Sequence, residues 1–126
     1  MAKVLIAEDE YVTQKKVAKI VENLGHVAFI SPDGKHAFET LKVNDGFKLL
    51  ITDMMMPEMD GRALVEAVRK NEKTKDMPII LMSAYVSINE IKGLLKMGVT
   101  YFLPKPIKNQ DLQNNIEKCI KFYGKI

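Results

Sequence analysis

Apolar positions along the chain alternate between short continuous runs and stripes at helical spacing. A run buried on both faces reads as a parallel strand, whereas residues recurring at three and four positions read as one face of a helix. Lys3–Ala7 predicts the first strand. From about Tyr11 a helix follows, with Val17, Ile20, Val21 and Leu24 on one face and Gly25 as its stop. Val27–Ile30 predicts a second strand, and Ser31-Pro32-Asp33-Gly34 a turn leading into a helix striped by Ala37, Phe38 and Leu41. Lys48–Asp53 predicts the third strand, and Asp60 an N-cap for a helix carrying Leu64, Val65 and Val68. Pro78–Met82 predicts the fourth strand, its proline at the tolerated first position. Ser87 is expected to cap a helix that turns Ile88, Ile91 and Leu95 inward and stops at Gly98. Val99–Leu103 predicts the last strand, and Asn109 the cap of a helix with Leu112, Ile116, Ile120 and Tyr123 at helical spacing.

Five strand–helix units with short connections imply a parallel sheet covered by helices on both faces. The fold class is α/β, doubly wound, and five units suit the flavodoxin-like strand order 2-1-3-4-5. At 126 residues the chain is expected to form one domain over 1–126. No apolar run approaches the roughly 20 residues that span a bilayer, and Glu8-Asp9-Glu10 interrupts the N-terminus before a signal peptide can form. The single cysteine, Cys119, excludes an internal disulfide and fits a reducing compartment, so a cytosolic location is expected.

Charge is uneven. Residues 1–83 carry 12 basic and 13 acidic side chains, and residues 84–126 carry 7 basic and 3 acidic. The lysines of the last third are spread out without arginine or a cluster of aromatics, which reads as a solvated helix surface rather than a nucleic-acid interface.

The predicted fold gathers strand ends along one edge, where open α/β sheets bind ligands. Strand one brings Glu8 and Asp9, strand three Asp53, strand four Ser83 followed by Ala84, and strand five Lys105 followed by Pro106. Carboxylates about 4 Å apart repel by ~4 kcal/mol at an effective dielectric of ~20. Proton uptake or a shared cation relieves that repulsion. Oxygen ligands with room for water suit Mg²⁺ or Mn²⁺. A zinc site is not expected, because His26, His36 and Cys119 fall in segments away from this edge. Such a set serves phosphoryl transfer: Asp53 as carboxylate nucleophile, Lys105 and the metal as neutralising charges, and Ser83 as hydrogen-bond donor.

Glu8-Asp9, Asp53-x-x-Met56-Pro57-x-x-Asp60-Gly61, Ser83-Ala84 and Lys105-Pro106 together resemble the signature of the two-component response-regulator receiver domain, over essentially the whole chain. The resemblance implies that Asp53 accepts phosphoryl from a histidine-kinase phosphohistidine. It implies a metal at Asp9, Asp53 and the Met55 carbonyl, with Glu8 acting through water. It makes Ser83 and Phe102 a switch pair and Lys105 the ion-pair partner of the phosphate. Self-phosphoryl transfer and autodephosphorylation are the only reactions of its own that it implies, so an enzyme is not expected. Its expected partners are a sensor histidine kinase or phosphotransfer protein, and an effector protein at the face of the fourth helix, fifth strand and fifth helix. No output domain is expected after the last helix, so direct DNA binding is not expected, and no membrane partner is expected either. Met55 and Tyr85, two residues beyond Asp53 and Ser83, are expected to flank the path of an attacking water and hinder it. Met54, Met55 and Met56 are otherwise expected to serve packing, and Glu10 to point away from the acidic pair.

Three other functions share parts of this outline. An aspartate-nucleophile phosphatase commonly has a second acid two residues after the nucleophile, where Met55 stands. A flavin carrier needs a phosphate loop where Glu8-Asp9-Glu10 would repel phosphate. A receiver-shaped docking module that is never phosphorylated has no need of the full acceptor set.

Overall fold

The computed structural model describes residues 1–84 and 87–123. Among these, the apolar runs form strands β1 (Lys3–Ala7), β2 (Val27–Ser31), β3 (Phe47–Asp53), β4 (Ile79–Ser83) and β5 (Tyr101–Pro104). They make one parallel sheet in the order β2-β1-β3-β4-β5, as expected from the alternation. The stripes form helices α1 (Tyr11–Asn23), α2 (Gly34–Val43), α3 (Gly61–Lys70), α4 (Ile88–Lys96) and α5 (Asn109–Lys118).

Side chains alternate across the pleat, so each strand feeds two cores. Val4, Ile6, Ile51, Ile80 and Met82 meet Val17, Val21, Leu112 and Ile116 of α1 and α5. Leu5, Leu50, Ile79 and Leu81 meet Leu41, Leu64, Val65, Val68 and Leu94 of α2, α3 and α4. Gly25 and Gly98 stop α1 and α4 at φ of +89° and +105°, a region that favours glycine. Asp33, Asp60 and Ser87 cap α2, α3 and α4 through their side chains, and Ser87 forms a reciprocal capping box with Glu90.

Two expectations about the helices are corrected. Of the residues expected to face inward on α4, Ile88 is 73% exposed, Leu95 is 47% exposed and Ile91 is half-buried, while Leu94 is fully buried. At 3.6 residues per turn, burying Leu94 rotates Leu95 toward solvent. The apolar pattern of α4 is two-sided, and the sheet takes only one side. On α5 the cap is Lys108, which makes no side-chain cap bond, and Asn109 is the first helical residue. Beyond Lys118 the helix widens into a π-helical turn, Cys119–Tyr123, that buries Cys119. Leu112 and Ile116 are buried and Ile120 partly so, as expected; the side chain of Tyr123 lies outside the described residues. Among the described residues no helix is long and apolar enough to cross a membrane.

Truncating Leu94 to Ala is expected to destabilise the protein by about 2–5 kcal/mol in urea unfolding, since it empties a packed site. Leu95→Ala should stay within about 0.5 kcal/mol. Equal losses from the two variants would contradict the orientation of α4.

Candidate functional site

Parallel register brings the predicted residues together. Ala7 pairs with Thr52, so Glu8 and Asp9 leave β1 beside Asp53 at the end of β3. Asp53 pairs with Met82, and Ser83 with Pro104, so Ser83 and Lys105 leave the next two strands along the same edge. The Lys105 N–H donates to the Ser83 carbonyl at 2.9 Å, fixing the start of the β5–α5 loop.

The Lys105 ammonium stands between two carboxylates, 3.1 Å from Glu8 Oε1 and 3.1 Å from Asp53 Oδ1. Glu8 is fully buried, Asp53 nearly so, and Asp9 is exposed. One carboxylate oxygen from each of Glu8, Asp9 and Asp53 can be chosen so that all lie within 4.8 Å of one another. Burial, and then the neighbouring Asp53 charge, raise the Glu8 carboxyl above its ordinary value; the Glu10 N–H and Lys105 offset this only in part. Burial also disfavours the Lys105 ammonium. Its hydrogen bonds and charge attraction to Asp53 and Glu8 outweigh that and hold it above the usual lysine value. The cluster of three carboxylates and one ammonium keeps a surplus of negative charge with oxygen ligands only. Asp9 opens it to solvent. Such a donor set fits a hydrated divalent cation of the Mg²⁺ or Mn²⁺ kind. Neither histidine joins the cluster: His36 Nδ1 pairs with Ser31 Oγ at 2.8 Å, and His26 Nδ1 accepts from the Ala2 N–H at 3.1 Å.

The loop after Asp53 is tightly bound. Met54 N–H donates to the Met82 carbonyl and the Gly61 N–H to the Met54 carbonyl, at 2.9 and 2.8 Å. Glu58 takes a φ of +68°, and the Met59 N–H reaches the Pro57 carbonyl at 2.7 Å, a γ-turn. Asp60-Gly61 is the helix start expected, but Gly61 does more: a β-carbon there would strike the Asp53 carbonyl oxygen and come within 2.8 Å of Met54 Cα. That close approach of α3 to the end of β3 leaves no trace in periodicity; the glycine in the first turn was the only available signal.

Met54 and Met56 pack against the α2–α3–α4 core as expected, but the Met55 side chain is 74% exposed and does not serve packing. Pleat alternation turns Phe102 toward that same core, where it is half-buried. Tyr101 faces the opposite core. Ser83 is buried at the end of β4. Glu10 stands at the N-cap of α1 and accepts from Thr13 Oγ1 at 2.5 Å, while its N–H bonds Glu8 Oε2. Tyr85, expected beside the path of an attacking water, lies outside the described residues.

Comparison with known proteins follows the same outline. Residues 4–117 match the response regulator receiver domain family. The chain is 34% identical over 119 residues to the chemotaxis protein CheY homolog of Campylobacter jejuni, covering 94% of this chain and 92% of that one. It is 33% identical over 116 residues to chemotaxis protein CheY1 of Helicobacter pylori, covering 91% and 94%. Among solved structures it is similar to the receiver domain of Francisella response regulator 1452, with a TM-score of 0.86, 30% identity and coverage of 96% and 98%. It is also similar to chemotaxis response regulator CheY4 of Vibrio cholerae, with a TM-score of 0.87, 27% identity and coverage of 94% and 98%.

The pH response of the metal-free protein follows from Glu8. A carboxyl raised in the folded state binds its proton more tightly there than in the unfolded chain. Its contribution is most favourable below the ordinary value of 4.5 and is lost as pH rises through the raised folded value. In chelator, the slope of unfolding free energy with pH just above 4.5 should therefore become more positive in Glu8→Gln than in the parent. An unchanged slope in chemical denaturation at stepped pH would contradict the buried, charge-crowded Glu8.

Proposed function

The chain belongs to the response regulator receiver domain family, and on that basis we propose that Asp53 is its phosphoryl acceptor. The domain is a signalling module of two-component systems rather than an enzyme. The observation that carries the proposal is the ammonium of Lys105 at 3.1 Å from Asp53, within a cluster completed by Glu8 and Asp9.

In the proposed reaction an Asp53 carboxylate oxygen attacks the phosphorus of a kinase phosphohistidine. The P–O bond forms as the P–N bond breaks, and the electron pair leaves with the imidazole nitrogen. Lys105 neutralises charge on the phosphoryl oxygens, and the Ser83 hydroxyl donates to one of them. Asp9, Asp53 and the Met55 carbonyl would hold Mg²⁺ or Mn²⁺, with Glu8 contributing through water, and the ion would supply further charge neutralisation at the phosphoryl group. Burial of Glu8 and Asp53 keeps these interactions out of bulk water, where they would be weaker.

Partners divide between two surfaces. A histidine kinase or phosphotransfer protein meets the strand-end edge that carries Asp53. An effector protein meets the α4–β5–α5 face, whose exposed Ile88 and Leu95 stand on the same helix as exposed Lys92 and Lys96. An apolar patch rimmed by ammonium groups matches an apolar, acidic partner segment. Ser83 and Phe102 connect the two surfaces as the switch pair. Phosphoryl at Asp53 draws the hydroxyl inward, and the half-buried Phe102 ring follows.

Intact-mass measurement after incubation with Mg²⁺ and acetyl phosphate should show a gain of one phosphoryl group that is absent in Asp53→Asn. Lys105→Met should slow that gain by about 10²-fold, the scale of removing one charge-stabilising donor. No Asp53-dependent gain with either acetyl phosphate or a phosphorylated kinase would favour a docking module independent of phosphorylation. With an exposed Met55 flanking the acceptor, Met55→Asn should shorten the phosphorylated-state lifetime in a chelator-quenched decay assay.

A further inference from the structure

The first helix gives no side chain to the acidic cluster, yet two of its residues reach the two loops that build it. Gln14 Nε2 donates to the Glu8 carbonyl at 2.6 Å. Lys16 Nζ donates at 2.6 Å to the carbonyl of Ile107, two residues beyond Lys105. Ile107 precedes the Lys108 cap of α5, so its carbonyl is not needed by that helix. Its side chain is buried against the α1–α5 core. Lys105 therefore leaves a segment pinned at both ends, by its own N–H on the Ser83 carbonyl and by Lys16 on Ile107.

Resting on the acceptor reading above, we infer that Lys16 is a positioning residue for Lys105, and Gln14 for Glu8. The lysine stem has four rotatable bonds, and its ammonium must meet two carboxylates at 3.1 Å each. A flexible stem holds such a position only if its backbone origin is fixed. Lys16 fixes that origin against α1, which also holds the carbonyl of the opposite loop through Gln14. One rigid helix thus sets the spacing between the loop of the ammonium and the loop of its carboxylate partner. The bland alternative is that Lys16 is a surface lysine whose bond contributes only to stability.

Phosphorylation of the full chain by acetyl phosphate, followed by intact mass across a Mg²⁺ series, separates these readings. Lys16→Met should lower the maximal rate about fivefold, a modest misplacement effect, while the half-saturating Mg²⁺ concentration stays unchanged. Lys16→Arg, which keeps a long cationic donor, should restore most of the rate. Gln14→Ala should instead raise the half-saturating Mg²⁺ concentration, because it frees the acidic loop. The decisive arm is the cycle with Lys105→Met: in that background Lys16→Met should slow the reaction no further. An equal slowing with and without Lys105, or a wild-type rate in Lys16→Met, overturns the inference while leaving the acceptor reading intact. A Lys105→Met protein as fast as the parent overturns the role assigned to Lys105, and this inference with it.

Discussion

The bridge from Lys105 to Glu8 and Asp53 is the constraint around which the strand-end edge is organised. Parallel topology gathers three carboxylates so that one oxygen from each lies within 4.8 Å of the others. Each pair of charges at that spacing repels by a few kcal/mol at an effective dielectric of about 20. One ammonium in contact with two of them offsets the worst of this but leaves the cluster negative. Burial first, and then the neighbouring Asp53 charge, leave Glu8 a carboxyl that gives up its proton reluctantly. The fold therefore tolerates the site rather than gaining from it, and a divalent cation or a transferred group with its counter-ion meets a demand already present. Burial that stabilises the fold lies elsewhere, in the two apolar cores on either face of the sheet.

Legibility in the sequence followed the strength of the burial that each segment requires. The three central strands were readable to within a residue, because Val4–Ala7, Leu49–Ile51 and Ile79–Met82 are buried on both faces and tolerate no polar interruption, whereas the last strand, expected at Val99–Leu103, runs Tyr101–Pro104. Their shared edge was readable too, since regular alternation allows few topologies. The convergence of Glu8, Asp9, Asp53 and Lys105 then followed from register alone. Whether Ser83 and Phe102 act as a pair could be placed only as far as neighbouring strand ends and pleat direction. The α4 helix was misread for a definite reason. Its apolar residues cover two sides, and periodicity cannot say which side the sheet will take. Leu94, adjacent to the Leu95 that was expected inward, is the one that packs. The cap of α5 was displaced by one residue because Lys108 offers no side-chain bond that a sequence rule could recognise.

Close approaches of backbone to backbone were beyond such reading. Gly61 lets α3 sit on the peptide of Asp53, and Gly34 lets α2 sit on the carbonyl of Met59. Together with the γ-turn at Glu58 they make the loop after Asp53 a braced structure, not a free connection. A braced loop suits phosphoryl transfer, where an ångström of misplacement can cost about two orders of magnitude in rate. The struts from Gln14 and Lys16 belong to the same class. They border the apolar stripe of α1, where a polar residue is unremarkable in sequence and its partner lies up to 91 positions away.

The contrast between braced and loosely held parts bears on how a charge change at Asp53 could be transmitted. Helix α3 buries Leu64, Val65 and Val68, whereas α4 buries Leu94 among its described residues. Burying one such side chain contributes about 1.5–3 kcal/mol, so α3 is held by several times that amount and α4 by little more than one anchor. In the proposed phosphorylated form, a phosphoryl group bonded to Ser83 and Lys105 would gain interactions worth a few kcal/mol. In the proposed switch that gain bears first on α4 and the edge strand β5 rather than on α3, whose three buried apolar side chains hold it more firmly. On the proposed reading, the exposed Ile88 and Leu95 have a physical reason to lie on α4: an apolar surface offered to a partner is most responsive on the helix that is least anchored to the core.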